Sequence, residues 1–204
     1  MSLFGFKPSK DSDMVLTVLS LAANLGCHAV FVWGRYKVFR IDNRTPAGVR
    51  LIEASAAGSI LVGLGLIVSR DGPRLELDAS AIVLAVISTA LFAWGVAVVH
   101  RGHLTAAFSD DVPAELITAG PFRYIRHPFY VSYLLSYLQA VIVSRSGWAI
   151  LPLLWMAGIY VRAALLEERK FLKSPLANEY CRYAACTGRF VPAVTHLTGY
   201  RHAN

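Results

Sequence analysis

Ala79-Ser80-Ala81-Ile82-Val83-Leu84-Ala85-Val86-Ile87-Ser88-Thr89-Ala90-Leu91-Phe92-Ala93-Trp94-Gly95-Val96-Ala97-Val98-Val99 is a run of twenty-one residues without a charge. A helix of that length rises about 30 Å, the thickness of a bilayer's hydrocarbon core. A helix at the surface of a soluble domain keeps a polar face for water, and this run has none. Working outward, Met14 to Trp33 and Val49 to Ser69 read as crossings on the N-terminal side. A shorter pair, Phe129 to Val143 and Trp148 to Leu166, follows on the C-terminal side. Asp71-Gly72-Pro73 marks a turn between the second and third helices, and Ser144-Arg145-Ser146-Gly147 a tight link between the last two. That link predicts a helical hairpin.

The rest of the composition agrees. Of 204 residues, 55% are hydrophobic and only 16% charged, and the mean hydropathy is +0.49, which is too apolar for an ordinary soluble domain and excludes intrinsic disorder. Cys27, Cys181 and Cys186 are an odd number without a CxxC pair, so neither a disulfide scaffold nor a thiolate zinc site is indicated. The expected fold is all-α, a polytopic integral membrane bundle of about five transmembrane helices with a cytoplasmic cap. It forms one domain over 1–204, with three helices in 1–100 and a loop, hairpin and tail in 101–204. Met1 to Asp13 carries Lys7, Lys10, Asp11 and Asp13, a poor signal peptide, so the first crossing is expected to stay. No repeat or low-complexity segment interrupts the chain.

The net charge of +7 fits cytoplasmic loops beside anionic lipid better than nucleic-acid binding. With five alternating crossings, fifteen of the twenty basic residues fall on one side, among them Arg35, Lys37, Arg101, Arg123, Arg126, Arg162 and Arg189. The other five are Lys7, Lys10, Arg70, Arg74 and Arg145. The positive-inside bias then predicts an outward N-terminus and a cytoplasmic C-terminal tail.

Two clusters of polar residues lie on the basic side. In the longest link, Arg123, Tyr124, Arg126, His127 and Tyr130 occur within eight positions, and Pro128 suits the first turn of the fourth helix. His127 would then sit at the positive end of that helix, where an anionic group is favoured. The alternative is that these Arg and Tyr side chains anchor a helix at the headgroup level. The second cluster is Arg162, Glu167 and Glu168 at the exit of the fifth helix. Glu168 suits a cationic or hydroxyl-bearing ligand, or, alternatively, a helix end solvated beside Arg169 and Lys170.

Elsewhere the reading is structural. Asn24 and His28, four apart, suit interhelical hydrogen bonding, and Ser55, Ser59 and Gly63 form a small-residue face for helix packing. Gly63-Leu64-Gly65 lies inside an apolar run with no strand before it, so it is no dinucleotide loop. His100 and His103 have a spacing a metal accepts, yet no third ligand is indicated, and no metal is expected. GxSxG, HExxH and P-loop motifs are absent.

Gly120-Pro121-Phe122-Arg123-Tyr124-Ile125-Arg126-His127-Pro128-Phe129-Tyr130, an apolar hairpin, Glu167-Glu168, then Asn178-Glu179-Tyr180-Cys181-Arg182-Tyr183 and Thr187-Gly188-Arg189-Phe190-Val191-Pro192 together resemble the isoprenylcysteine carboxyl methyltransferase family, itself related to the phospholipid methyltransferases. The resemblance covers about the last hundred residues. It implies a small polytopic enzyme that uses S-adenosylmethionine, held in a cytoplasm-facing pocket. Carried over by position, cofactor contacts fall on Glu115, Leu116, Ile117, Phe122, His127, Pro128, Phe129, Tyr130 and Glu168. Two departures stand out. Phe122 replaces a common tyrosine, which leaves stacking without a hydroxyl. The prenylcysteine members carry an arginine one turn before the glutamate matched by Glu168, and that position is Ala164 here, with Arg162 the nearest basic residue and the candidate for substrate binding.

The reading that follows is methyl transfer from S-adenosylmethionine to a lipophilic, membrane-embedded acceptor other than a prenylcysteine carboxylate. Neither a nucleic-acid nor a protein partner is indicated. The alternatives are a transporter-like bundle in which Asn24, His28 and Arg162 line a path, and a non-catalytic bundle with a methyltransferase-like fold.

Overall fold

The structure, a computed structural model, describes residues 10–38, 47–99, 113 and 115–193. Six α-helices occur among them: α1 (Lys10–Val38), α2 (Ala47–Val68), α3 (Leu75–Val98), α4 (Pro128–Ser144), α5 (Ile150–Leu172) and α6 (Ala177–Cys186). Short 3-10 turns at Gly120–Arg123 and Gly147–Ala149 lead toward α4 and α5. Four helices, α1, α2, α3 and α5 with its preceding turn, are long and apolar enough to cross a membrane, and α4 is a shorter apolar helix. The expected all-α membrane bundle is what the chain forms. His100 and His103 lie outside the described residues.

The helices outrun the apolar stretches that announce them. Hydropathy marks the hydrocarbon layer, whereas a helix continues as long as its ends are electrostatically satisfied. In α1 the extra turns place Asp11 and Asp13 at the N-terminus and Arg35 and Lys37 at the C-terminus, each sign complementing the helix dipole. In the same way α5 runs on to Leu172, so Glu167 and Glu168 stand inside its last turns and not beyond its exit.

α4 sits at the centre, touching α1, α2, α3 and α5, with α3 its broadest neighbour. This explains its length. Its 17 residues rise about 25 Å, short for a lipid-facing span, but four longer helices surround it. It therefore carries polar side chains inward, each with a partner: Ser132 Oγ donates to the Pro128 carbonyl, Ser136 Oγ to that of Tyr133, and Gln139 Oε1 accepts from Asn24 Nδ2 at 3.1 Å. The small-residue face of α2 meets this helix, where a Cβ on Gly63 would stand 3.4 Å from that of Ala140.

Successive helices alternate in direction. Arg35 near the end of α1 pairs with Glu53 near the start of α2, and at the opposite end Arg145 donates to the carbonyls of Asp71 and Gly72. Between the ends, Phe31, Phe92, Phe122 and Phe129 form an aromatic core joining α1, α3 and the start of α4. That core supports the end of the bundle carrying both polar clusters.

Candidate functional site

The site is assembled from four separate pieces of chain. Gly120 opens the first. At φ +57 it adopts a left-handed conformation, and a Cβ there would also meet Val98 at 2.8 Å, so glycine is required on both counts. The following 3-10 turn buries Pro121 and Phe122 and delivers the chain to α4, with Pro128 at its first position. The last turns of α5 present Glu167 and Glu168 opposite.

The tail then folds back over them. Arg126 N–H donates to the Gly188 carbonyl at 2.8 Å and His127 N–H to the Arg189 carbonyl at 3.2 Å, forming a single parallel bridge between Ile125 and Gly188. A Cβ at Gly188 would collide with the Val191 carbonyl, so the reversal needs glycine. α6 is tied down as well: the Tyr183 hydroxyl donates to the Phe122 carbonyl at 2.7 Å, and Arg126 Nη1 donates to the carbonyls of Ala184, at 3.0 Å, and Thr187. A guanidinium at the carbonyl end of a helix is favourably placed.

Glu168 is the electrostatic centre. Its Oε1 accepts from Arg126 Nε at 3.1 Å and Arg189 Nε at 2.9 Å, and its Oε2 from Arg189 Nη2 at 2.7 Å. His127 Nε2 lies 3.2 Å from Oε1, and its Nδ1 lies 3.2 Å from Glu167 Oε2. Burial opposes a charge on His127, but the hydrogen bonds and negative charges of Glu167 and Glu168 outweigh it and hold its pKa above the usual 6.5. Glu167 also accepts from the Tyr130 hydroxyl at 2.7 Å. Counting a protonated His127, three cations face Glu167 and Glu168, and a third carboxylate, Glu115, borders the same cavity.

Around this cluster is a cavity of about 80 Å³, lined by Glu115, Leu116, Ile117, Phe122, Arg126, His127, Glu167, Glu168, Phe171, Tyr180 and Tyr183. Six of the positions expected from the sequence thus share one cavity: Glu115, Leu116, Ile117, Phe122, His127 and Glu168. Pro128, Phe129 and Tyr130 stand behind it. Phe129 packs on Phe92 and Phe122, with ring centroids 5.0 and 5.8 Å away. Tyr130 is stacked between His127 and Tyr160, at 5.5 and 5.1 Å. Arg162 is exposed on α5 and does not line the cavity.

Five lining residues have no cofactor contact assigned from the sequence: Arg126 and Glu167, which belong to the two polar clusters, and Phe171, Tyr180 and Tyr183. Arg189, which closes over Glu168, is a sixth. Tyr180 and Tyr183 did leave a signal, since a spacing of three places both on one face of a short helix. Burial raises the pKa of both phenols, so both stay neutral. The Tyr180 hydroxyl is buried and has no hydrogen-bond partner among the described residues, an orphan that a bound group would satisfy.

No curated protein matches the chain. A family model does, that of phospholipid methyltransferase, over residues 77–178. The matched stretch is half of the chain. It runs from the first turn of α3 to the first turn of α6 and contains the cavity's wall from Glu115 to Phe171, leaving Tyr180, Tyr183 and Arg189 beyond it. Transmembrane-length helices, a cavity at one end of them and this match agree: the chain belongs to the phospholipid methyltransferase family.

Proposed function

We propose that the chain is an integral membrane methyltransferase that uses S-adenosylmethionine and acts on a lipophilic acceptor other than a prenylcysteine carboxylate. One observation carries this reading: acids, cations and aromatic rings from four chain segments meet in a single cavity at one end of the bundle. Phospholipid methyltransferases generally use this cofactor, and the residues present fit it. Arg126, His127 and Arg189 suit the carboxylate, Glu167 and Glu168 the ammonium or the ribose hydroxyls, and Leu116, Ile117 and Phe122 the adenine. The unpartnered Tyr180 hydroxyl supplies a further donor. Glu115 borders the same ring site, and Pro128, Phe129 and Tyr130 fix the position of His127 from behind.

Once bound, the cofactor offers a methyl group on a sulfonium, which leaves as a neutral thioether. The chain therefore needs no nucleophile of its own. Its residues hold donor and acceptor in line and keep water from the reacting atoms. At about 80 Å³ the cavity is smaller than the roughly 300 to 1,000 Å³ usual for ligand sites, so binding requires it to open. Arg189 is the side chain suited to move, since it is 37% exposed while Arg126 and Glu168 are each 12% exposed.

Ala164 supports the restriction on the acceptor. It is fully buried on α5, one turn before Glu168, with no space for a cation in its place. An unpartnered substrate carboxylate there would be strongly disfavoured. Arg162, on the exposed side of α5, is assigned to the acceptor's headgroup from outside the cavity. A lipid amine or hydroxyl remains as the acceptor class. The transporter reading lacks a path: Asn24 is spent on Gln139, and Arg162 faces outward from a different helix.

The test is transfer of a labelled methyl group from S-adenosylmethionine into a lipid extract, with mass spectrometry of the product, beside saturable binding of the demethylated cofactor in detergent. Failure of both would overturn the proposal. For topology the proposal is an outward N-terminus and a cytoplasmic tail and cavity. Reporter fusions after Asn204 should be active only in the cytoplasm; activity confined to the other side would reverse the orientation.

A further inference from the structure

At the end of the bundle opposite the methyl-transfer cavity lies a second and larger one, of about 560 Å³, between the α2–α3 and α4–α5 turns. Its walls include Arg70, Arg74, Arg145, Ser69 and Ser146, with Leu66 and Leu77 providing apolar surface. We propose that this cavity binds a phosphate-bearing ligand, separately from the methyl-transfer site.

The charge distribution makes the first argument. By the sequence count this end holds only five of the twenty basic residues, yet three of the five converge on one cavity. Arginine's planar fork of donors matches phosphate. The three side chains also differ in commitment. The Arg70 side chain is 2% exposed and is held in place through both terminal nitrogens, Nη2 pairing with Asp78 at 2.7 Å and Nη1 donating to the Val143 carbonyl at 2.8 Å, while its buried Nε has no partner among the described residues. Arg74 is exposed, and its guanidinium makes no hydrogen bond among the described residues. Arg145 is anchored through Nη2 on the carbonyls of Asp71 and Gly72. With Asp78 neutralised by Arg70, Arg74 and Arg145 outnumber the remaining acid, Asp71.

The backbone makes the second. Arg145 is the only described non-glycine residue at positive φ, +55, just past the end of α4. Glycine is the usual occupant of such a position, and Gly147 lies two residues further on. An arginine held there at a conformational cost points to a use for its charge. The third argument is depth. The cavity lies where α2, α3, α4 and α5 end or begin, level with lipid phosphates if these helices span the bilayer, and its leucines offer contact to a glycerol or acyl group. Lipid headgroup and free phosphate share the chemistry that would be recognised.

The test uses the purified full chain in non-ionic detergent, titrated with inorganic phosphate, glycerol 3-phosphate, dihexanoyl phosphatidylglycerol and, as a control without phosphate, dihexanoylglycerol. Melting temperature and tryptophan fluorescence report binding, compared with Arg74→Gln and Arg145→Gln. At least one phosphate probe should saturate, each variant should weaken it roughly tenfold, and dihexanoylglycerol should do nothing. Saturation by phosphatidylglycerol alone identifies a lipid headgroup, whereas equal competition by inorganic phosphate identifies the free anion. Arg74→Gln, altering an exposed side chain, keeps the test valid if Arg145→Gln misfolds. No saturable response to any phosphate probe, or an unchanged response in Arg74→Gln, would overturn the proposal. Because none of these readings involves methyl transfer, they stand or fall apart from the function proposed above.

Discussion

Each end of the bundle is organised around a carboxylate with arginines, and the two carboxylates do different jobs. Asp78 is fully buried. Its partners are the Ser20 hydroxyl, Arg70 and the Arg74 backbone N–H four residues earlier, so it closes the first turn of α3 and ties it to α1 and α2. Glu168 accepts instead from three cationic side chains drawn from the loop and the tail, one of them more than a third exposed. A carboxylate held by its own helix's backbone is architecture. One held by side chains from distant, partly open segments can exchange them for a ligand.

The sharpest way to break this contrast is to remove both acids. Asp78→Ala strands Arg70 as a buried, unpaired charge and is expected to cost about 3 to 5 kcal/mol, measured by detergent-titrated unfolding in mixed micelles. Glu168→Gln should cost far less. Equal losses would mean that Glu168 is architecture too. Next in size, His127→Ala and Glu168→Ala should each weaken binding of S-adenosylmethionine roughly tenfold or more, the worth of a charge-assisted hydrogen bond at about 1.5 to 3 kcal/mol, while the protein stays folded. Unchanged titrations in both would move the cofactor elsewhere.

A smaller effect sharpens the comparison through pH. Because Glu167 and Glu168 raise the pKa of His127 above 6.5 in the folded protein, its protonated form contributes stability. That contribution is fully present below the unfolded value and is lost as pH rises through the folded one. The melting temperature of the wild type minus that of His127→Gln should therefore decline from about pH 6.5 upward, and a difference independent of pH would refute the charged pairing. Smallest of all, Arg162→Ala should change stability by no more than about 0.5 kcal/mol, as exposed substitutions do. Rapid methylation of a farnesylated cysteine analogue, unaffected by Arg162→Ala, would overturn both the acceptor restriction and its basis in Ala164.

The helices were legible because a long uncharged run has few other uses, and the polar residues from Arg123 to Tyr130 and at Glu167 and Glu168 were legible by their density, whereas Glu115, Leu116, Ile117 and Phe122 came only from the family resemblance. What escaped reading has physical causes. The central place of α4 is invisible to hydropathy, since Ser132, Ser136 and Gln139 look like signs of exposure until Asn24 and the neighbouring carbonyls are found beside them. Arg189 reaches the site beside the bridge between Ile125 and Gly188, and Tyr180 on a helix tied down by Tyr183 and Arg126, contacts with no periodicity to announce them. Arg162 lies only five and six residues before the acids in sequence but on another face of α5, and only the placement of its neighbours shows which face is buried.

The shortness of α4 has a consequence of its own. Its far end is joined to α5 by a tight turn, so the difference between 17 and 23 residues appears at the other end, where α4 begins about 9 Å beneath the tip of α5. His127 and Glu168 line a recess below that tip. On the proposed reading, a lipid need not be hoisted out of the leaflet to react. The water-soluble partner is the one that descends, and the tail above it works as a hatch over a well.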